Sequence, residues 1–179
     1  LREHGYLRPT ITPRPEIDVT PAKRFFVEML TRDIELEDAI LDLLDNCVDG
    51  AVRNNAKKKR LPASDLAYRG YWAEITLSEK KFVIKDNCGG IPLEVANEYA
   101  FKFGRPRAGI DSDLHTVGVY GIGMKRALFK LGSDSQVWSS NAGGSFGVYI
   151  DKKWLSSNSW KLSMEDGASK SSLTEKGVE

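Results

Sequence analysis

The sequence predicts an α+β fold: a two-layer α/β sandwich in which helices cover one face of a mixed, mostly antiparallel sheet. Three observations support this prediction. Apolar residues recur at helical spacing from about Ile34 to Asn55, which indicates a long amphipathic helix. Two strand pairs are indicated, one around a turn at Glu79-Lys80 and one around a turn at 141–144. Helices and strands mix without strict βαβ alternation, which disfavours a doubly wound parallel sheet.

Composition predicts one globular domain with a real core, because the chain has 179 residues and is 41% hydrophobic. The net charge of +1 gives no global attraction to nucleic acid or membrane. No apolar run is long enough for a membrane span, and no signal peptide is evident. Cys47 and Cys88 fit neither a metal-ligand spacing nor a secreted disulfide framework. We therefore expect a cytoplasmic, reducing setting and no membrane partner.

The chain divides into an irregular, proline-containing N-terminal arm, residues 1–20, and one domain, residues 21–179. Thr20-Pro21 is a good helix start and predicts a short helix over 21–31. A further helix is predicted in "IPLEVANEYAF", with Pro92 in its first turn. Residues 102–117 have little periodicity and predict a long loop of the kind that forms lids. Because the chain starts at Leu1, we expect it to be a fragment of a longer protein.

The long helix carries an acidic stripe. Asp42, Asn46 and Asp49 fall within roughly 60° of one another at about 100° per residue, opposite the apolar stripe; that apolar stripe consists of Ile40, Leu43, Leu44, Cys47, Val48 and Ala51. Asparagine is a poor helix former and closely spaced aspartates repel. The stripe is either an ordinary solvated face or a site for a cation such as magnesium, which takes one or two protein oxygens.

A second motif is "IKDNCGGI", residues 84–91. An alternating strand ends at Asp86, and Gly89-Gly90 then forces a tight path. One interpretation is a structural corner in which Asp86 accepts hydrogen bonds from backbone N–H groups. The other is a carboxylate held at a strand end, where it accepts a hydrogen bond from an amino group on a flat ring.

The third motif is "GVYGIGMKRALFKLG", residues 118–132, in which glycines crowd the start of a helix. It is not a Walker A loop, because Lys125 comes one residue late and no Ser or Thr follows. The order G-x-x-G-x-G is not a dinucleotide fingerprint either. The motif is either a phosphate site on the free N–H groups of a helix start or a lid hinge without a ligand.

Together and in this order, the three motifs resemble the GHKL ATPase superfamily, which includes gyrase, the heat-shock chaperone ATPases, histidine kinases and MutL. "DLLDNCVDGA" is similar to its N box, "DNCGGI" to its adenine-recognition box and "GVYGIGMKRA" to its glycine box. The resemblance is strong over residues 36–132 and weak over 133–179. Within the superfamily, residues 103–132 most resemble the chaperone-like and MORC-like ATPases. The resemblance implies a sandwich of the Bergerat type with a lid at about 102–117.

The resemblance also implies ATP and Mg²⁺ as ligands and assigns roles to residues. Asp42 would activate water, Asn46 would coordinate magnesium, and Asp49 would support the site. Asp86 would accept a hydrogen bond from the adenine amino group, with Gly90 and Ile91 beside the base. The phosphates would be wrapped by the glycine box, represented by Gly118, Val119, Tyr120, Gly121, Ile122, Gly123, Met124 and Lys125.

The sequence departs from the family pattern at three positions. The water-activating acid is usually glutamate, and Asp42 places its carboxylate about 1.5 Å further back. Because a misplacement of about 1 Å can cost roughly 10²-fold in rate, hydrolysis is expected to be slow. Cys88 stands where glycine is usual near the base. Val178 stands where relatives often have a threonine that contacts the adenine aspartate.

The expected function is Mg²⁺-dependent ATP hydrolysis that drives a conformational or dimerisation cycle, with a nucleotide-dependent homodimer in the full-length protein. The alternative is a nucleotide-gated interaction module with little turnover. A kinase of the same fold is disfavoured, because an acid occupies position 42 and neither His4 nor His115 is in a phospho-acceptor context. Nucleic acid as a partner is left open by the basic run at 57–60 and by Arg105 and Arg107.

Overall fold

A computed structural model describes residues 17–57, 68–103 and 121–166 of the chain. The helices within these ranges are α1 (Lys23–Thr31), α2 (Leu36–Lys57), α3 (Leu93–Val95), α4 (Gly123–Leu131) and α5 (Lys152–Ser156). The strands are β1 (Ala73–Leu77), β2 (Phe82–Asp86), β3 (Ser135–Asn141), β4 (Gly144–Ile150) and β5 (Met164–Asp166). Helices and antiparallel sheets are mixed along the chain, so the α+β class is confirmed.

The long predicted helix is α2, and it packs against α4. Ala39 and Leu43 of α2 form a buried cluster with Ala127 of α4, and Ile34 completes it. The buried face of α2 differs from the predicted apolar stripe: Val48, which the stripe includes, is 40% exposed. Gly50 belongs to the buried face and approaches the chain after β2 so closely that a Cβ there would lie 2.9 Å from the carbonyl oxygen of Cys88. A glycine contact of this kind carries no hydrophobic signal in the sequence.

The strands form two antiparallel sheets among the described residues. β1 and β2 are a hairpin that pairs Leu77 with Phe82 and Ala73 with Asp86. β3, β4 and β5 form the second sheet in that order. Ile91 connects the two: its N–H donates to Ser139 Oγ at 2.7 Å, and its carbonyl oxygen accepts from Asn141 Nδ2 at 2.7 Å.

Three local features differ from the sequence prediction. The helix predicted in "IPLEVANEYAF" is present from Leu93 to Ala100, but it is α-helical only in α3 and widens into a π-helical turn over Ala96–Ala100. α5 and β5 were not predicted. α5 is a single short turn whose N-terminus Asp151 caps by accepting from the Trp154 N–H at 2.7 Å. β5 is three residues long and exists through its pairing with β4.

Several sequence predictions fall on residues outside the described ranges. They are the arm up to residue 16, nearly all of the basic run at 57–60, most of the lid at 102–117, His4, His115, Gly118, Val119, Tyr120 and Val178. No helix in the described part of the chain has the length and apolar character needed to cross a membrane.

Candidate functional site

α2 contacts the other two motif segments at two points along its length. Asp42 meets α4, where Arg126 Nε donates to Asp42 Oδ2 at 2.6 Å. Cys47 meets the end of β2, where its thiol donates to Asp86 Oδ2 at 3.6 Å. Five residues separate Asp42 from Cys47, which corresponds to about 7.5 Å along the helix axis. The three motifs that are distant in sequence therefore converge on one stretch of α2.

The Asp42 carboxylate is held from two directions. Arg126 binds it in a bidentate fashion, because its second nitrogen lies 3.1 Å from Asp42 Oδ1. Gly123, the first residue of α4, lies against the same carboxylate, and a Cβ at Gly123 would be 3.1 Å from Asp42 Oδ1. The hydrogen bond to Asp42 raises the pKa of Arg126, so the guanidinium stays charged. The pair is partly buried, with side-chain exposures of 18% for Asp42 and 31% for Arg126.

Asn46 lies one turn beyond Asp42 and is exposed. Its Nδ2 donates to the carbonyl oxygen of Asp42 at 2.6 Å, so Oδ1 is the amide atom that remains to coordinate a cation. Asp49, one turn further on, is buried with 4% exposure and is not part of a solvated face. Burial, followed by the charges of Asp42 and Asp49, raises the pKa of Asp45 between them.

The donor chemistry at Asn46 fits Mg²⁺. Magnesium prefers oxygen ligands and usually takes only one or two from protein, with water and substrate phosphates completing the shell. One amide oxygen among carboxylates meets that requirement. Across residues 17–57, 68–103 and 121–166, no group of three or more His, Cys, Asp or Glu side chains could hold a metal ion by itself. A site that shares its ion with phosphates needs no such group.

Asp86 is a buried carboxylate, 7% exposed, at the end of β2. Its Oδ1 accepts from the Cys88 N–H at 2.7 Å, and its Oδ2 accepts from the thiol of Cys47. Burial and the charge of Asp86 raise the pKa of the Cys88 thiol to about 12. The same two causes raise the pKa of the Cys47 thiol. Both thiols therefore stay protonated at neutral pH: the Cys47 thiol donates to Asp86, and the Cys88 thiol donates to the carbonyl oxygen of Trp72 at 3.8 Å. The Cys47 thiol and the Cys88 N–H together orient the Asp86 carboxylate.

The chain after Asp86 follows a path that depends on glycine. Gly89 and Gly90 have φ values of 112° and 69°, which side chains rarely adopt. A Cβ at Gly89 would lie 2.3 Å from Asn54 Nδ2, the group that donates to the carbonyl oxygen of Cys88 at 3.3 Å. This path brings Ile91 to β3, and both Gly90 and Ile91 are half-buried.

The described part of the glycine segment begins at Gly121, whose φ is 63°. Ile122 precedes α4, and among the described residues no side chain caps the helix N-terminus. Met124 packs on the α2–α4 cluster. Lys125 is buried, and its ammonium donates to the carbonyl oxygens of Ala100 at 2.9 Å and Lys102 at 2.7 Å. The sequence resemblance implies a phosphate contact for Lys125, and in this structure its ammonium binds residues at the start of the predicted lid.

Aromatic side chains also hold the chain at Phe103, next to Lys102. Phe103 is the last described residue before position 104, and its ring lies 4.7 Å from Phe26 of α1 and 5.7 Å from Trp160. It also stacks on Phe129 of α4 at 6.1 Å. The start of the predicted lid is therefore attached to α1 and α4 by ring contacts as well as by Lys125.

Sequence reasoning missed two of these contacts. The sequence places Cys47 only in the apolar stripe of the long helix and predicts no role for Arg126. Arg126 lies 84 positions from Asp42, and Cys47 lies 39 positions from Asp86. The only signals in the sequence were a polarisable small residue inside the N-box motif and an arginine one turn into the glycine-box helix. Neither signal names a partner.

The architecture and the convergence on α2 define an α+β domain with the three segments of a nucleotide-binding ATPase. A family model described as histidine kinase-, DNA gyrase B-, and HSP90-like ATPase matches residues 34–176. The match covers well over half of the chain, and the chain belongs to this family of ATPases. Membership implies that the domain binds ATP. A comparison with curated proteins found no match.

Proposed function

We propose that this domain hydrolyses ATP to ADP and phosphate with Mg²⁺, and that the cycle drives a conformational change or dimerisation. The proposal takes residues 21–179 as the catalytic domain and 1–20 as an arm. It also takes the chaperone-like and MORC-like ATPases as the branch that the chain resembles most. The observation that supports it best is that one stretch of α2, from Asp42 to Cys47, contacts both α4 and Asp86, in a chain of this ATPase family.

In this proposal Asp86 accepts a hydrogen bond from the adenine amino group, and Gly90 and Ile91 lie beside the ring. The phosphates lie at the start of α4, where the helix dipole and N–H groups that no described side chain caps favour an anion. Asn46 Oδ1 would hold Mg²⁺, which supplies positive charge to the phosphates. Asp42 orients a water molecule and takes its proton as the water oxygen attacks the terminal phosphorus, and ADP leaves.

A second function, a nucleotide-gated interaction module with little turnover, is favoured by one observation. Both oxygens of Asp42 accept hydrogen bonds from Arg126, so the carboxylate must leave this partner before it can orient a water molecule. Its side chain is also one methylene shorter than glutamate. For such a module, ATP binding changes the conformation of the domain, and a partner binds that conformation.

Steady-state phosphate release separates the two functions. For an ATPase, Asp42→Asn lowers the rate at least 10²-fold while a non-hydrolysable ATP analogue still binds in calorimetry. Glu37→Gln, which removes one charge from an exposed position of α2, is the matched control and leaves the rate unchanged. A wild-type protein that binds the analogue in Mg²⁺ but releases phosphate no faster than Asp42→Asn is an interaction module. Absence of nucleotide binding contradicts both functions.

A further inference from the structure

We infer that Arg126 reads the terminal phosphate of ATP: its guanidinium pairs with Asp42 when no triphosphate is bound and transfers to the terminal phosphate when one is bound. The inference rests on the proposed function, because it takes the terminal phosphate to lie next to Asp42. It goes beyond that function by naming the residue that distinguishes ATP from ADP.

The chemistry of the pair suits such an exchange. Arg126 meets Asp42 with two nitrogens, at 2.6 Å and 3.1 Å, which is the forked geometry that a guanidinium uses equally for carboxylate and phosphate. A terminal phosphate carries more negative charge than a carboxylate and offers more acceptor oxygens. The guanidinium is 31% exposed, so its side chain can change partner without crossing the core.

The position of Arg126 also suits it. Arg126 lies three residues after Gly123, so both occupy the same side of α4. That side faces Asp42, because the carboxylate contacts Gly123 as well as Arg126. A water molecule held between Asp42 and a terminal phosphate would place the phosphate about two hydrogen-bond lengths from Asp42, within reach of a guanidinium that already touches Asp42.

The exchange has a consequence for the cycle. While Asp42 and Arg126 remain paired, a water molecule has to compete with the Arg126 guanidinium for both carboxylate oxygens of Asp42. ADP has no terminal phosphate and leaves the pair in place. ATP draws Arg126 away and releases Asp42 to act on water, so the base becomes available only when there is a bond to cleave.

The test compares two affinities in the same variants. Calorimetry in Mg²⁺ measures binding of ADP and of adenylyl imidodiphosphate to the wild-type chain, Arg126→Gln and Arg126→Lys. We expect Arg126→Gln to lower the affinity for the triphosphate analogue about tenfold or more, because charge-assisted hydrogen bonds are lost, and to leave the ADP affinity within about twofold. Arg126→Lys keeps the charge but cannot donate two parallel hydrogen bonds. Its affinity for the triphosphate analogue should lie between those of the wild-type chain and Arg126→Gln. Lys130→Gln, in the last turn of α4, is the charge-matched control and changes neither affinity.

The alternative is that Arg126 only clamps α4 to α2. A clamp lowers both affinities by the same factor, and an unchanged ratio of the two affinities in Arg126→Gln and Arg126→Lys therefore overturns the inference. If Arg126→Gln does not fold, Arg126→Lys decides by the same ratio. If the wild-type chain binds neither ligand, the proposed function fails and the inference fails with it, which is a different result from binding with an unchanged ratio.

Discussion

The ammonium of Lys125 lies 2.7 Å from the carbonyl oxygen of Lys102 and joins the start of α4 to the residues that lead into the predicted lid. A second bond, at 2.9 Å, reaches the carbonyl oxygen of Ala100 at the end of the π-helical turn. The side chain is only 3% exposed, so these bonds form largely out of contact with water. Lys125 therefore links the glycine-box helix to the lid entrance.

The first prediction concerns this link. Lys125→Met keeps the length of the side chain but removes the donor from two carbonyl oxygens. We expect the free energy of unfolding to fall by about 2 kcal/mol, since a buried acceptor left without its partner costs about 1–3 kcal/mol. Urea unfolding measures it. Lys130→Met on the same helix is the control, and equal stability of the two variants would show that the Lys125 bonds contribute little.

The second prediction uses two glycines with similar backbone strain. Gly70 and Gly89 have φ values of 90° and 112°, but a Cβ at Gly70 meets no atom of the described residues within 4 Å, whereas one at Gly89 meets Asn54. We expect Gly70→Ala to lower the free energy of unfolding by about 1 kcal/mol through strain alone. Gly89→Ala should cost about 2–3 kcal/mol, because it also displaces the Asn54 hydrogen bond.

Chemical unfolding of both glycine variants gives the difference directly. In addition, only Gly89→Ala should weaken binding of the ATP analogue, because Gly89 shapes the path that leaves Asp86. Equal losses of stability would mean that Asn54 moves aside without cost.

The sequence predicted the elements that arise from local periodicity and missed what tertiary contact creates. α2 and the β1–β2 hairpin were predicted because amphipathic spacing and turn residues are visible within a short window. The burial of Gly50 on α2 was not predicted, because Gly50 is buried against Cys88 by backbone approach and not by hydrophobicity. β5 depends on pairing with β4 rather than on its own three residues.

The candidate site divides in the same way. The motifs marked Asp42 and Asp86 because spacing and residue type carry that information. The partners of those carboxylates, Arg126 and Cys47, lie far away in sequence, and only the fold shows which side chains meet. The predictions on the glycine segment before Gly121 stay predictions, because Gly118, Val119 and Tyr120 lie outside the described residues.

The third prediction tests the adenine assignment. In Asp86→Asn, one oxygen that accepts from Cys47 or Cys88 becomes an amide donor, and the acceptor proposed for the adenine amino group is weakened. We expect the affinities for ADP and for the ATP analogue to fall together, at least tenfold, since unpaired buried polar groups cost about 1–3 kcal/mol each. This common loss distinguishes Asp86 from Arg126, for which only the triphosphate affinity should change.

Asp134→Asn is the control, because Asp134 is an exposed aspartate with 61% side-chain exposure. Thermal melting of each variant establishes that it is folded at the assay temperature. Unchanged nucleotide affinity in folded Asp86→Asn would remove Asp86 from the base pocket.

The fourth prediction follows from the thiols beside Asp86. Burial and the Asp86 charge raise the pKa of Cys88 to about 12, and they raise the pKa of Cys47 as well. An unfolded cysteine titrates at about 8.5, so the folded state keeps its thiol protons where the unfolded state releases them. The stabilisation is complete below pH of about 8.5 and is lost progressively as the pH rises from there towards 12.

Urea unfolding at pH 8, 9 and 10 measures this loss. Each thiol contributes a slope of up to about 1.4 kcal/mol per pH unit once the unfolded cysteine is ionised. Cys88→Ala removes one of the two thiols, so its stability should fall less steeply with pH than that of the wild-type chain, whatever its stability at pH 8. Because tyrosine and lysine titration is common to both proteins, parallel slopes would mean that Cys88 ionises as easily in the folded state as in the unfolded state, and that Asp86 does not hold its proton in place.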